Sequence, residues 1–228
     1  MRMAGPRKYY YDLHIHTRRY SPCSIIEPAE VIAAARARGL DGIALTEHGV
    51  RWPAPEIEEL KAECGRASFP LLVGCEISTR SGDGGTGDLL VFGLSEVPDG
   101  PCSIDEVCRR AHGQGGVVVA PHPFAEIQGI RDEVYSSRID GIEVYNHRYR
   151  GSRQIRLAEK AWRQLDLVGV AGSDAHEISE IGRCCTEFDD PLRTERDLIE
   201  AILARRCRPR PKSPPSGLLR MLGLGSRE

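Results

Sequence analysis

Five of the seven histidines in this 228-residue chain stand where an apolar run ends. His14 and His16 close YYYDLHIH, His48 closes DGIALTEH, His122 follows GGVVVA, and His176 ends LVGVAGSDAH. Carboxylates arrive at the same places. Glu47 precedes His48, Glu76 lies in PLLVGCEIS, Asp88 opens DLLVFGL, Glu143 lies in IDGIEVYN, and Asp174 precedes His176 by two residues. Side chains two apart on an extended strand point the same way, so His14 and His16 form a pair, and Asp174 and His176 repeat the spacing. Carboxylates gathered in one basin repel one another and imidazoles desolvate poorly, so the basin needs positive charge. Divalent metal ions supply it. Imidazole with carboxylate and without thiolate suits manganese, zinc or iron.

Taken singly, each feature has an ordinary structural use. An H-x-H pair is often incidental, Asp174 and His176 could cap a loop, and His122 between two prolines could stiffen a turn. These uses do not account for five histidines at four strand ends. His112, near the end of a helical stretch where a cation is welcome, and His147, in a basic loop, read as structural or surface residues.

The elements that must position this cluster alternate along the chain. Strand-like runs cover residues 9–14, the DGIALTEH, PLLVGCEIS, DLLVFGL, GGVVVA and IDGIEVYN segments, and LVGVAGSDAH. Between them Pro28 can open a helix that stops at Gly39, residues 56–64 are helical in character, and Ser103 with Glu106 spells a capping box. SRQIRLAEKAWRQL and residues 194–206 complete the helices. About seven short apolar strands with helices between most of them predict parallel strands with helical crossovers, whose C-terminal ends share one face. STRSGDGGTG reads as a glycine-rich loop. After Cys207 the composition turns basic and proline-rich, so residues 1–208 are expected to form one domain and residues 209–228 a flexible tail.

The bulk numbers restrict the function classes. A formal net charge of -2 gives no general attraction to nucleic acid, and apolar residues at 40% with charged residues at 28% describe an ordinary globular chain. No run approaches a bilayer span and the N-terminal stretch has no apolar leader core, so a cytoplasmic protein is expected. None of the eight cysteines forms a C-x-x-C pair, which argues against a zinc knuckle. Most are expected to be small buried apolar residues.

The segments DLHIHT, ALTEHG, GCEIS, PHP, IEVYN and GSDAH, in this order over residues 11–181, resemble the PHP (polymerase and histidinol phosphatase) family. The resemblance implies a distorted seven-stranded α/β barrel of the (β/α)7, TIM-like kind, with two or three metal ions at the strand ends. It further implies that His14, His16, Glu76 and Asp174 hold one ion, that Glu76 bridges to a second completed by His122 and Asp88, and that His48 and His176 hold a third. Glu47 would ligate or orient His48. Asp88 stands where many relatives have histidine, and Glu47 where most have aspartate. Where relatives follow the first histidine pair with aspartate or histidine, this chain has RRYSPCS, in which Ser21 is a poor ligand and Cys23 an uncertain one. The implied chemistry is phosphoester hydrolysis by a metal-bridging hydroxide. Glu76, Asp174 and His176 would act at the reacting centre, with Asp174 a possible general base. Arg18, Arg19, Arg148 and Arg183 are candidate phosphate contacts. A small phosphomonoester or nucleotide is the favoured substrate. A nuclease acting on nucleic-acid ends is the second reading. A metal-dependent amidohydrolase is disfavoured because no lysine ends a strand, and a non-catalytic metal scaffold because nearly all ligands are kept.

Overall fold

The structure, a computed structural model, describes residues 7–80, 86–100, 102–149 and 153–212. Its elements follow in order as β1 (Tyr9–Ile15), α1 (Pro28–Ala37), β2 (Gly42–Leu45), α2 (Ala54–Glu63), β3 (Leu71–Val73), β4 (Cys75–Arg80), β5 (Thr86–Phe92), β6 (Cys102–Ser103), α3 (Ile104–Gly113), β7 (Val117–Ala120), β8 (Gly141–Asn146), α4 (Arg153–Leu165), β9 (Val168–Gly172), β10 (Cys185–Phe188), α5 (Glu195–Leu203) and β11 (Cys207–Arg210).

The α/β class is as expected, but the ladders do not form a uniform parallel barrel of seven strands. They form two mixed sheets, a five-stranded one in the order β11-β10-β1-β2-β3 and a six-stranded one in the order β6-β4-β5-β7-β8-β9. The β1–β2, β2–β3, β7–β8 and β8–β9 pairs are parallel. The β4–β5, β5–β7, β1–β10 and β10–β11 pairs are antiparallel. The reason lies in the connections. Only a short link joins β4 to β5, and a hairpin must run antiparallel, whereas a parallel pair needs a long crossover. Two single-residue parallel bridges, Ile15–Ala175 and His48–Glu76, hold the sheets together at the end that carries the histidines. Pro209 and Arg210, counted in the expected tail, belong to β11, which pairs with β10, and residues 213–228 of the expected tail lie outside the described residues. The centre of the glycine-rich loop, residues 81–85, also lies outside them.

The helix termini follow their sequence signals. Pro28 sits in the first turn of α1 and Gly39, just past its end, has φ 75°. Ser103 caps α3 by accepting from the Glu106 amide, although the Glu106 carboxylate turns to Arg109 and Arg110 instead of closing the box. Thr194 and Asp197 form a reciprocal box at α5. β2 and β7 are buried at every position, as strands covered on both faces should be.

Tyr11, at 1% exposure, fixes the base of β1. Its hydroxyl donates to the Leu192 carbonyl at 2.9 Å and accepts from the Leu192 amide at 2.8 Å, and its ring meets Phe188 edge-on. Burial pushes its pKa up to about 12, so it serves as a neutral donor. Tyr11→Phe leaves both Leu192 groups unpaired and is expected to lower stability by about 1–3 kcal/mol, read as a lower urea midpoint at unchanged slope.

Candidate metal centre

The strand ends converge as the chemistry required. Four sets of ligand atoms lie within 4.8 Å of one another: His14/His16/Glu76, His14/His122/Asp174, Glu76/Asp88/His122 and His16/His48/His176. Eight of the nine expected ligands are therefore brought together. β1 delivers His14 and, one residue past its end, His16; β4 delivers Glu76; and the segments after β2, β7 and β9 deliver His48, His122, Asp174 and His176. Asp88 stands near the start of β5, and it reaches the same face only because β5 runs antiparallel to β4, with Asp88 opposite Ser78. Ser78 donates to Asp88 Oδ1 at 2.8 Å.

The spacing of the ligand atoms tests whether they fit an ion. Nε2 of His14 lies 3.0 Å from Nε2 of His16, 3.4 Å from Glu76 Oε1 and 3.6 Å from Asp174 Oδ1. Nε2 of His16 lies 3.2 Å from Glu76 Oε2 and 3.5 Å from Asp174 Oδ1. An ion about 2.1 Å from each ligand sets its neighbours about 3.0 Å apart at right angles and about 3.4 Å apart in a tetrahedron. The four side chains thus outline one coordination shell. Nε2 of His122 is 3.1 Å from Glu76 Oε1, and Nδ1 of His48 is 3.0 Å from Glu76 Oε2. Asp88 Oδ2 is buried without a hydrogen-bond donor, an arrangement that costs free energy unless a cation satisfies it, and Glu76 Oε2 faces the His16 and His48 nitrogens without hydrogen-bond geometry.

Electrostatics give the same answer. Burial alone would depress the pKa of His14, but the charges of Asp174, Glu76 and Glu143 outweigh it and hold it well above the ordinary value. Burial is likewise overcome at His16, by Asp174 and Glu76, and at His122, by Glu76. Glu76 is held far below the usual carboxylate range despite its burial, by His14 and then His122, and Asp174 by His14 and His16. Asp88 goes the other way, to about 6, from burial and the Glu76 charge. His176 is lowered by burial and by His16. The carboxylates thus favour the positively charged forms of His14, His16 and His122, which shows how strongly the basin calls for positive charge.

An outer layer aims these ligands. Nδ1 of His14 faces Glu143 Oε1 at 3.2 Å, leaving Nε2 for the cluster. Glu143 Oε2 accepts from the His122 amide and from Asn146 Nδ2, each at 2.9 Å. Gly172 permits the contact, since a Cβ there would lie 2.5 Å from His14 Cβ and 2.7 Å from Glu143 Oε1. Nδ1 of His16 faces Ser21 Oγ at 3.3 Å, and Nδ1 of His176 faces its neighbour's carbonyl, Asp174 O, at 3.0 Å. His122 and Asp174 themselves sit at φ 27° and 55°, a backbone region that L side chains adopt only where the surroundings enforce it.

Two expectations need correction, the ligand role of Glu47 and most of the arginine contacts, while the alternative role of Glu47, orienting His48, fits its contacts. Glu47 is buried but joins none of the ligand sets. Its oxygens accept from the Thr17 amide and hydroxyl, from Ser21 Oγ and from Trp52 Nε1 at 2.9 Å, so they are saturated with donors. Ser21, through which it acts, orients both His16 and the His48 amide. Three of the four arginines are also elsewhere. Arg18 pairs with Glu27, Arg19 with Glu56, and Arg183 donates to Ser179 O. Only Arg148 lines the cavity above the cluster. Two orienting residues were not read as site residues. Glu143 was visible as a charge in an apolar strand. Asp12, fully buried in YYYDLHI, accepts from the Ser173 amide at 2.8 Å and the Gly182 amide at 2.7 Å, tying β1 to the segment that bears Asp174 and His176. Burial raises its pKa to about 6.

Glu143→Gln is expected to weaken metal affinity about 10- to 100-fold by releasing His14, measured by competition with a chromophoric chelator. Because the surrounding carboxylates raise the proton affinity of His14, His16 and His122, protons compete with metal for these nitrogens, and metal uptake should release protons into a weak buffer and weaken as pH falls. Uptake without proton release would contradict that competition.

Comparison with known proteins agrees with this geometry. The profile of the PHP domain matches residues 12–92, and that of the PHP-associated region matches residues 153–207. An uncharacterised protein of Methanocaldococcus jannaschii is 31% identical over 153 residues, covering 61% of this chain and 82% of that one. Among solved structures, a Bifidobacterium adolescentis protein assigned as a metal-dependent phosphoesterase aligns with a TM-score of 0.61 at 20% identity, over 86% of this chain and 96% of the other. Pyrococcus furiosus is the source of one related endonuclease Q structure, with a TM-score of 0.54 at 14% identity over 87% of this chain and 56% of that one. A second structure, of endonuclease Q bound to a 27-mer duplex with an abasic lesion at the active site, gives 0.62 at 17% identity, over 87% of this chain and 57% of that one. With both profiles in sequence order, and a relative matched over most of its length, the chain belongs to the PHP family.

Proposed function

We propose that this protein is a metal-dependent phosphoesterase acting on a small phosphomonoester or a nucleotide. The observation that supports this most directly is a cavity of about 320 Å³ floored by His48, Glu76, His122, Asp174 and His176 and walled by Arg148, Tyr149, Gln128 and Cys23. Anionic and cationic groups meet there as a phosphate ester would need. In this reading His14, His16, Glu76 and Asp174 hold one divalent ion, Glu76, Asp88 and His122 a second, and His48 and His176 a third, with manganese, zinc or iron as candidates. The two sheets, joined by their bridges, are taken as one distorted seven-stranded ring of β1, β2, β4, β5, β7, β8 and β9 around the cluster.

The ions would supply charge neutralisation at the phosphoryl oxygens and a lowered pKa for the attacking water. The chain's own groups do the rest. Arg148 spends Nε on the Asp174 carbonyl at 3.3 Å and lies 3.7 Å from Asp174 Oδ2, so Asp174 props the guanidinium at the cavity wall. Its terminal nitrogens, without a partner among the described residues, are positioned to bind phosphate oxygens. Asp174 and His176 stand beside the reacting centre. None of the lining residues is a lysine, which agrees with setting the amidohydrolase reading aside.

The likeness to endonuclease Q supports one second reading, a nuclease, for which the sequence favours nucleic-acid ends as substrate. A panel of phosphomonoesters and nucleotides, with added manganese and a chelator control, tests the proposal. Manganese-dependent phosphate release that chelator abolishes is the expected result. Glu76→Gln should abolish it, and Arg148→Ala should lower kcat/KM about 10- to 100-fold, the range for a hydrogen bond to a charged group. Release from no monoester, with cleavage of single-stranded oligonucleotides instead, would transfer the assignment to a nuclease.

A further inference from the structure

Helix α4, RQIRLAEKAWRQL, carries four cations, Arg153, Arg156, Lys160 and Arg163. At 3.6 residues per turn they fall within about 80° of arc, and at 1.5 Å per residue they run about 15 Å along the axis. All four are exposed, and none has an ion pair among the described residues. Other helices pair their arginines. Arg110 on α3 meets Glu106 at 2.6 Å, and Arg196 on α5 meets Glu200 at 2.8 Å. On α4 the only carboxylate is Glu159, one turn from both Arg156 and Arg163, where it could pair with either. It accepts from the Tyr145 hydroxyl on β8 at 2.9 Å instead. The line of positive charge is thus left open on a chain whose formal net charge is -2.

The place of this line in the fold narrows what it can meet. α4 begins just past Arg148 and Tyr149, which wall the cavity, and runs along β8 away from it. Its opposite face is occupied. Ala158 and Ala161 are buried, and Trp162 and Leu165 pack against the cluster that holds Ile142 and Val144. The helix therefore keeps no free apolar face to enter a bilayer, as an interfacial helix must. A helix lying flat, with one straight line of cations, fits one sugar–phosphate backbone laid beside it. Guanidinium groups bind phosphate oxygens in pairs, and evenly repeated phosphates match evenly repeated cations.

We propose that the exposed face of α4 binds a single strand of nucleic acid through its phosphates, without regard to sequence. The face lies outside the cavity and needs neither metal nor turnover, so the inference stands apart from the choice of ester cleaved there.

The test is fluorescence anisotropy of a labelled oligothymidylate with the full chain, kept in chelator so that nothing is cleaved. Four phosphate contacts give an expected slope of about -2.8 in log affinity against log salt, so a fourfold rise in salt should weaken binding about 50-fold. R156A/K160A should halve that slope, leaving an effect of about 7-fold, with an unchanged melting temperature because both side chains are exposed. R109A/R196A removes two arginines that are already paired and should keep the full slope. No binding at low salt, or a full slope in R156A/K160A, would overturn the proposal. An equal loss in R109A/R196A would also overturn it, by reducing the effect to overall charge. Binding to phosphatidylserine vesicles that R156A/K160A abolishes, with none to the oligonucleotide, would overturn it in favour of a membrane.

Discussion

Glu76 is a buried anion, 1% exposed, with nitrogens of His48, His122, His16 and His14 at 3.0, 3.1, 3.2 and 3.4 Å. A carboxylate at that depth is tolerated only when cations surround it. The arrangement of strand ends follows from that requirement. The His48–Glu76 bridge joins the two sheets at the residues that share the charge, so the seam of the fold and the centre of the site coincide. Neighbouring carboxylates feel the same constraint with different outcomes. Asp174 has imidazoles close by and stays ionised, while Asp88 has mainly burial and Glu76, which lift it toward neutrality.

Around this anion the protein controls direction as well as charge. An imidazole can present either nitrogen, and a ring free to flip would scatter the ligand set. His14 is fixed by Glu143, His16 by Ser21 and, through it, Glu47, and His176 by a carbonyl two residues back. Each holds Nδ1 and leaves Nε2 for the cluster. The orienting groups are themselves anchored to backbone amides, so the precision of the site comes from the sheets and not from the loops alone.

The sequence displays the chemistry more openly than the architecture. Histidine and carboxylate at successive strand ends are legible because such residues interrupt apolar runs, and eight of nine meet in space. Glu47 has the same signature but joins no ligand set, because its fate depends on donors from Thr17, Ser21 and Trp52 that no spacing rule reveals. Arginines after motif segments are equally ambiguous. Arg18 and Arg19 found acidic partners on α1's N-cap and α2, and only Arg148 faces inward. Strand direction was the larger blind spot. A buried strand reads the same whether it runs parallel or antiparallel, so the reversal of β5 and the addition of β10 and β11 escape composition and periodicity. Pro209 within β11 adds to the difficulty, since proline in a basic stretch suggests a loop until β10 is seen beside it.

The tether made by Asp12 spans almost the whole chain. Its partners Ser173 and Gly182 lie 161 and 170 residues downstream. A ribosome emits residues from the N-terminus, so β1 emerges with its histidine pair long before the strand that must seat it exists. Until the segment after β9 follows, this pair lacks Asp174 and its backbone dock. Maturation of the centre is therefore a late event in biosynthesis, and the nascent chain passes most of its synthesis with its first two imidazoles open to whatever ions the surroundings offer.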